Sequence, residues 1–377
     1  MIYQPTSTLP ANLSGQQLAG PFNLMGSILN AAENTPSNIT FVGERCNLVL
    51  ASDPDPTIIS GLKTANPNCI VLWFVSPYFA TGDDLWNAST QELQDALVAK
   101  YGLHDPQDQP ITYGGPTYPG LALGQALPLM DVRNAAWQDY FAAQMAKYVP
   151  IVGFDGVFLD TMTEDIPAWA LAAGPTFPKG YTANGWKYGS YEFLAKIQDA
   201  MAAIGKVVYF NGISKGSTAT TSFLNKGMLE MVEGGAVEAY SIGSDFYSTD
   251  TLKQHFFQET VMRDLSQALL LNKKIVIEAY VDTWSVKKSL YFLGGISLVQ
   301  NGNLFPYLTE NGSAGTFVYL DEWGMNLGDP VGAFTINGDG TYQRQFTNGL
   351  VVVNPTANTI TRQVALAPFS GNFFLNS

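Results

Sequence analysis

Residues 153–161, with the sequence GFDGVFLDT, contain a short apolar run that ends in an aspartate, Asp160. A continuous apolar run, unlike an alternating one, is typical of a strand that is covered on both faces. Eight such runs occur along the chain, and most are followed by a stretch with helical spacing. They are Asn47–Ser52, Cys69–Ser76, Ala126–Asp131, Phe154–Asp160, Val207–Gly212, Met228–Glu233, Lys274–Tyr280 and Thr316–Leu320.

Six helices are predicted between these strands, and the strongest pattern places Trp137, Phe141 and Met145 at helical spacing. The helices are Thr90–Tyr101, Ala135–Tyr148, Ser190–Ile204, Thr218–Asn225, Thr251–Leu271 and Ser285–Val299. Eight strands that each return through a helix predict a (β/α)8 TIM barrel. The alternative is a doubly wound open sheet, but no Gly-x-Gly-x-x-Gly motif follows any strand.

The two ends of the chain differ from this pattern. The first 40 residues are rich in Pro, Asn and Ser, and we expect them to wrap the barrel without adding a strand to its sheet. From Ala333 onward short alternating runs are separated by hairpin signals at Asn337-Gly338 and Asn348-Gly349. We therefore predict a barrel domain over residues 1–332 and a small antiparallel β appendage over residues 333–377.

The composition excludes several classes of function. The 377 residues include 19 Lys and Arg against 32 Asp and Glu, so the net charge of −13 disfavours nucleic acid as a partner. No window offers the roughly 18 consecutive apolar residues of a membrane span, so we expect no membrane insertion. Cys46 and Cys69 are predicted to be packed thiols, with one disulfide between them as the alternative. No export signal is visible, yet an extracellular, surface or virion-associated location is favoured over the cytoplasm.

The strand ends show where chemistry is expected, because the functional groups of a parallel barrel stand at the carboxyl ends of its strands. No strand ends in lysine, and His104 and His255 lie outside the strand ends, which argues against Schiff-base chemistry and against a histidine metal site. We expect no cofactor and no metal. The end residues are Ser52 with Asp53, Ser76, Asp131, Asp160, Asn211, Glu233, Glu278 with Tyr280, and Asp321 with Glu322.

Two of these carboxylates are the candidate catalytic pair, with Asp160 expected as nucleophile or base and Glu233 as general acid. Asp160 could instead cap the following turn, and Glu233 could be a solvated side chain. Two carboxylates at one barrel mouth are the minimum for glycoside hydrolysis, since one protonates the leaving oxygen while the other attacks the sugar or activates water. Glu238 and Glu278 compete with Glu233 for the second role.

The GFDGVFLDT stretch, preceded by a helix start at residues 131–137 (DVRNAAW), resembles glycoside hydrolase barrels of two kinds. These are the endo-α-1,4-polygalactosaminidase group and the hypothetical glycosyl hydrolase families. The resemblance implies a catalytic Asp, an Asn at the next strand end and a Glu at a later one, which here are Asp160, Asn211 and Glu233. It extends to Met325–Gly332 and Gln345–Thr356. The stretch Thr161–Gly189 departs from it as a long insertion.

The expected function is hydrolysis of glycosidic bonds in an oligosaccharide or polysaccharide. Asp131, Asn211 and Glu278 are expected to hydrogen-bond sugar hydroxyls. Tyr280, Trp284 and Tyr78 are candidates for stacking on sugar rings, although aromatic side chains in loops often serve only to pack them. The alternative is a non-catalytic carbohydrate-binding or structural barrel in a phage or cell-surface assembly, because a fold can persist without its chemistry.

Overall fold

The computed structural model describes most of the chain. The described residues are 24–29, 33–78, 91–113, 127–164, 166, 178–213, 225–239, 265, 269–281, 286–310, 321–362 and 364–375. Within them no helix is both long enough and apolar enough to cross a membrane. Cys46 and Cys69 are buried free thiols, as predicted.

Eight parallel strands form one sheet in the order in which they follow along the chain, which confirms the predicted (β/α)8 barrel. The strands are β1 (Met25–Ile28), β2 (Leu48–Ala51), β3 (Ile70–Val75), β6 (Gly156–Leu159), β7 (Val207–Asn211), β8 (Gly234–Ala239), β9 (Lys274–Val281) and β10 (Leu304–Glu310). A separate two-stranded antiparallel hairpin, β4 (Thr112–Tyr113) with β5 (Leu127–Pro128), lies between β3 and β6 in sequence.

Three of the sequence predictions about strands are wrong, and a fourth lies outside the described residues. Ala126–Asp131 holds only the short hairpin strand β5, and the barrel position is taken instead by β1, within the segment that was expected to lack a strand. Met228–Glu233 is mostly a helix, and the strand follows it as β8. Thr316–Leu320 lies outside the described residues, and the eighth strand is β10. A short apolar run does not by itself distinguish a buried helix from a buried strand.

Seven helices are described, and several begin at side chains that accept a hydrogen bond from a free backbone N–H of the first turn. Thr35, Asp55, Asn134 and Thr182 are these N-caps. The helices are α1 (Pro36–Arg45), α2 (Pro56–Ala65), α3 (Gln91–Tyr101), α4 (Ala135–Val152), α5 (Ala183–Ala203), α6 (Lys226–Met231) and α7 (Val286–Val299). The predicted helices at Thr218–Asn225 and Thr251–Leu271 lie almost wholly outside the described residues.

The barrel interior is filled by side chains that alternate along the strands. Successive strand residues point to opposite faces, so one residue in two faces inward. The inward set forms its own apolar cluster, with Leu29 and Phe74 packed against it. Its members are Met25, Leu48, Leu50, Ile70, Leu72, Phe158, Val207, Tyr209, Ala236, Val276, Phe305 and Tyr307. The outward residues pack against the surrounding helices in a second, larger cluster.

A four-stranded antiparallel sheet follows the barrel, in the order β11 (Thr335–Ile336), β12 (Tyr342–Phe346), β13 (Gly349–Asn354) and β16 (Ser370–Leu375). A two-stranded hairpin joins β14 (Ile360–Thr361) to β15 (Ala365–Leu366). The sheet packs on α7, where a Cβ at Gly371 would lie 2.0 Å from the carbonyl oxygen of Leu290 and one at Gly294 would lie 3.0 Å from the Cα of Gly371.

This contact predicts the effect of Gly371→Ala. A Cβ at position 371 would overlap the carbonyl oxygen of Leu290, which belongs to helix backbone and cannot move aside freely. We expect the variant to lose about 2–4 kcal/mol of unfolding free energy, measured by urea denaturation. Gly338→Ala is the control, because nothing lies within 4 Å of a Cβ there. An equal effect of the two substitutions would contradict the close contact.

Candidate functional site

The side chains that face the barrel interior change from apolar to polar at the carboxyl ends of the strands. Leu50, Phe74, Phe158, Tyr209 and Val276 all face inward or pack against the inward cluster. Two residues beyond each of them, on the same face, the chain places a hydrogen-bonding side chain. These are Ser52, Ser76, Asp160, Asn211 and Glu278. The carboxyl ends of five strands therefore present polar groups to one mouth, where barrel enzymes hold their sites.

Asp160 and Asn211 are joined directly. The side-chain amide Nδ2 of Asn211 donates to Oδ1 of Asp160 at 3.1 Å. Asn211 is buried and ends β7, while Asp160 is partly exposed and directly follows β6. An N–H donor favours the ionised form of a carboxylate. The two residues predicted from neighbouring strand ends thus form one unit at the mouth.

Glu278 lies farther round the same mouth, on β9. Its side chain is only 8% exposed. In the strand register Glu278 is opposite Glu238 of β8 on one side and Tyr307 of β10 on the other. Position 238 falls on the same face of β8 as the inward Ala236, since strand residues alternate. Two glutamates therefore occupy adjacent positions on the inner face of neighbouring strands.

Tyr307 closes the barrel between its last strand and its first. Its hydroxyl hydrogen-bonds to Ser27 Oγ of β1. Burial, and next the charge of Glu278, raise the pKa of Tyr307, so this phenol stays neutral. Sequence reasoning missed both residues because β1 and β10 were not recognised as strands. The apolar run Leu304–Leu308 was the available signal for β10.

A set of hydrogen-bonded polar side chains, which includes Glu33 and Asn34, lies beside β1, and the sequence analysis did not identify those two residues. The carboxylate of Glu33 accepts the backbone N–H of Leu29 at 2.7 Å. Asn34 Nδ2 donates to Asp53 Oδ2 at 2.9 Å, and the Ser52 hydroxyl donates to the carbonyl of Leu29 at 2.9 Å. These bonds tie the ends of β1 and β2 together at the mouth.

Glu233 lies at the opposite end of the barrel from Asp160. It precedes β8 and does not end a strand. Its carboxylate is 3.2 Å from Nζ of Lys274, the first residue of β9, and both side chains are less than 10% exposed. The prediction that Glu233 ends a strand is wrong, because residues 226–231 form the helix α6 and the strand begins only at Gly234. Its position removes the argument that gave Glu233 the role of general acid.

Asp131 and Tyr78 also differ from expectation. Asp131 follows the hairpin strand β5 and not a barrel strand, and it forms an ion pair with Arg133 through bonds of 2.8 Å. Arg133 also donates to the carbonyls of Lys179 and Gly180, so the pair connects two loops. Tyr78 is 1% exposed and stacks on Trp186 with ring centroids 5.6 Å apart. Its ring is thus inside the protein, where no sugar can stack on it.

Two aromatic candidates are not fully described. Tyr280 belongs to β9, but its side chain lies outside the described part of the molecule. Trp284 lies outside the described residues altogether. Their stacking on sugar rings stays a prediction. Among the described residues, no group of three or more His, Cys, Asp or Glu side chains is arranged to hold a metal ion.

The sequence model of a family described as hypothetical glycosyl hydrolase family 15 matches residues 63–350. This confirms the resemblance to the hypothetical glycosyl hydrolase families. No curated protein is similar enough to the sequence to count as a match.

Solved structures with a similar fold include three carbohydrate enzymes. A maltogenic α-amylase from Thermotoga neapolitana has a TM-score of 0.52 and 10% identity, over 89% of this chain and 86% of its own. A cycloalternan-degrading enzyme from Trueperella pyogenes has a TM-score of 0.49 and 14% identity, over 80% of this chain and 45% of its own. An α-galactosidase from Geobacillus stearothermophilus has a TM-score of 0.46 and 12% identity, over 88% of this chain and 47% of its own. The chain spans less than half the length of the last two, and identities this low show the fold alone.

The position of Glu233 predicts a structural effect of Glu233→Gln. Removing one charge of a buried ion pair leaves Lys274 without its carboxylate, so we expect a loss of about 3 kcal/mol of unfolding free energy. The folded variant should keep its activity. Glu230→Gln is the control, because the Lys226–Glu230 pair is more than half exposed and should contribute less than about 1 kcal/mol. A folded Glu233→Gln protein that is inactive would restore Glu233 as a catalytic residue.

The burial of Tyr209, near Glu233, predicts how the stability of the protein changes at alkaline pH. Burial, and next the charge of Glu233, raise the pKa of Tyr209 well above its usual value, and among the described residues its hydroxyl has no hydrogen-bond partner. Because the pKa of this tyrosine is higher in the folded state than in the unfolded state, its contribution to stability is fully present below the unfolded pKa of about 10. That contribution is lost as the pH rises from there through the folded pKa. Tyr209→Phe should therefore be at least as stable as wild type at pH 8, and should lose less stability between pH 8 and pH 10.5 in urea denaturation. Equal losses in both proteins would contradict this prediction.

Proposed function

Since the chain belongs to hypothetical glycosyl hydrolase family 15 and is on that ground a glycoside hydrolase, we propose that it cleaves a polysaccharide with two carboxylates at the barrel mouth. Asp160 is one of them. The second comes from the Glu238–Glu278 pair. The observation that supports this most strongly is that Asp160 and Glu278 stand on the inner face at the carboxyl ends of their strands, where barrel enzymes hold their chemistry.

Asp160 is the proposed nucleophile or base. It must be ionised to attack the sugar or to take a proton from water, and the N–H of Asn211 favours that form. The backbone N–H of Asp160 is bound by the carbonyl of Val75 in the neighbouring strand at 2.8 Å. This carboxylate is therefore fixed by the sheet on one side and by Asn211 on the other.

The second carboxylate is the proposed general acid, which protonates the leaving oxygen. Neighbouring strands are about 4.8 Å apart, and in the strand register positions 238 and 278 lie two residues, about 6.6 Å, beyond the level of Asp160. The backbone of Glu238 is therefore about 12 Å and that of Glu278 about 16 Å from the backbone of Asp160 along the sheet. Glycosidase carboxyl groups are separated by about 5–9.5 Å. This spacing favours Glu238 as the acid and Glu278 as the residue that orients the sugar beside it.

The mouth also suits a neutral, hydroxyl-rich substrate. Ser52, Ser76 and Asn211 offer hydroxyl and amide groups, which can both donate and accept hydrogen bonds. At the inner-face positions that the structure describes there, no Lys or Arg side chain is present to bind an anionic group. Sugar hydroxyls, which need both donors and acceptors, match this set of side chains.

The first test measures release of reducing ends from a panel of bacterial and fungal polysaccharides. We expect Asp160→Asn to lower kcat by about 10³-fold or more, because the substitution keeps the shape and removes the charge. Asp139→Asn is the matched control, since Asp139 is 68% exposed and paired with Lys196 on the surface. If neither wild type nor Asp160→Asn releases sugar while both bind a glycan, the barrel is a binding module and the proposal fails.

The second test identifies the acid with aryl glycosides of the sugar that the panel selects. An acid variant loses about 10²–10⁴-fold on substrates with a poor leaving group, and much less on a dinitrophenyl glycoside that needs no proton. We expect this pattern for Glu238→Gln. Glu278→Gln should lose activity on both substrates by a similar factor, mainly through KM. If neither variant depends on the leaving group, the pair does not supply the acid.

A further inference from the structure

The residue directly after Asp160 has a strained backbone. Thr161 has φ of 61°, in the left-handed region that few side chains adopt. For a β-branched residue this conformation is a true outlier that strains the backbone. Such strain persists only where the surrounding structure enforces it.

Hydrogen bonds to two different strands hold the turn on both sides of Thr161. The N–H of Asp160 donates to the carbonyl of Val75 in β3, and the N–H of Met162 donates to the carbonyl of Asn211 in β7, each at 2.8 Å. Between these two fixed points the chain has one residue in which to turn away from the sheet. Thr161 is that residue.

The turn after β7 locks the turn after β6 in place. Gly212 has φ of 137°, and a Cβ there would overlap the carbonyl oxygen of Met162. The carbonyl of Gly212 in turn accepts from Asn225 Nδ2, whose residue is fully buried. Farther along, Glu164 accepts from Tyr191 at 2.6 Å and pairs with Lys187 at 2.7 Å. The segment 160–164 is thus held against β7 and α5 along its length.

We infer that Thr161 is a positioning residue whose enforced left-handed turn holds the Asp160 carboxylate against Asn211. The inference rests on the proposed role of Asp160 as a catalytic carboxylate. The strain has a function under this view, because a relaxed turn would let the carboxylate leave the amide of Asn211. The backbone turn at Thr161 acts through Asp160, and the Thr161 side chain need not touch the substrate.

Thr161→Gly tests this directly, since glycine adopts the left-handed region at no steric cost and also frees the turn to leave it. We expect kcat to fall about 10-fold or more, because a small displacement of a catalytic group costs up to about 10²-fold. KM should stay within about twofold, and the melting temperature should be unchanged or higher. The acid limb of the pH–rate profile should move to higher pH as the carboxylate loses its N–H donor.

Two further variants separate the backbone from other effects. Asn272→Gly relaxes another left-handed residue, with φ of 53°, just before β9 at the far end of the barrel, and should leave kcat unchanged. Thr161→Val keeps the branched side chain and the strain but removes the hydroxyl. Its kcat should exceed that of Thr161→Gly by about fivefold or more. Thr161→Val would then retain most of the kcat that Thr161→Gly is expected to lose through a displaced carboxylate.

The possible outcomes distinguish this inference from the proposed function. A Thr161→Gly protein with wild-type kcat, or one that loses kcat only in step with its stability, overturns the positioning role. Equal losses in Thr161→Val and Thr161→Gly assign the effect to the hydroxyl and also overturn it. If Asp160→Asn keeps its activity, the proposed function itself fails, whatever the Thr161 variants show.

Discussion

The closed parallel sheet imposes one constraint on which the rest of the molecule depends. Each strand must send every second side chain into a barrel interior that its eight strands share. Over most of the barrel's height these residues are apolar and fill the interior, as Leu72, Phe158 and Val276 do. At the carboxyl ends the same alternation places Asp160, Asn211 and Glu278 at the mouth. The site is thus the last layer of the packing pattern, with polar residues in place of apolar ones.

The two ends of the barrel use charged residues differently. At the amino end, Glu233 and Lys274 neutralise each other in a buried pair that joins β8 to β9. At the carboxyl end, Asp160 accepts a hydrogen bond from the neutral amide of Asn211. The Glu233–Lys274 pair connects two strands inside the barrel, whereas Asp160 lies at the mouth, where barrel enzymes hold their chemistry. We therefore interpret Glu233 as a structural carboxylate and propose Asp160 as the catalytic one.

Sequence patterns predicted the barrel, and they placed two residues of the candidate site, Asp160 and Asn211, at neighbouring strand ends. Asp160 and Asn211 were recognisable because the predicted strands Phe154–Asp160 and Val207–Gly212 contain the observed strands β6 and β7. Glu233 was misplaced because four of the five residues Met228–Val232 are apolar, and over so short a stretch a helix and a strand look alike. Met25–Ile28 was missed because a four-residue strand that contains glycine gives little signal. Ser27 was therefore not identified, and Tyr307, its hydrogen-bond partner, was not identified because β10 was also not recognised.

The fold class, the family resemblance and the order of Asp160, Asn211 and Glu278 could be predicted from the chain alone, because apolar periodicity and strand-end residues are local properties. The tertiary structure was needed to show which end of the barrel each carboxylate occupies, since that depends on where a strand begins and not on its composition. It also decided that the ring of Tyr78 is covered by Trp186 and that Asp131 is paired with Arg133. Likewise, the strained turn at Thr161 exists because bonds from β3 and β7, distant in sequence, fix both of its sides.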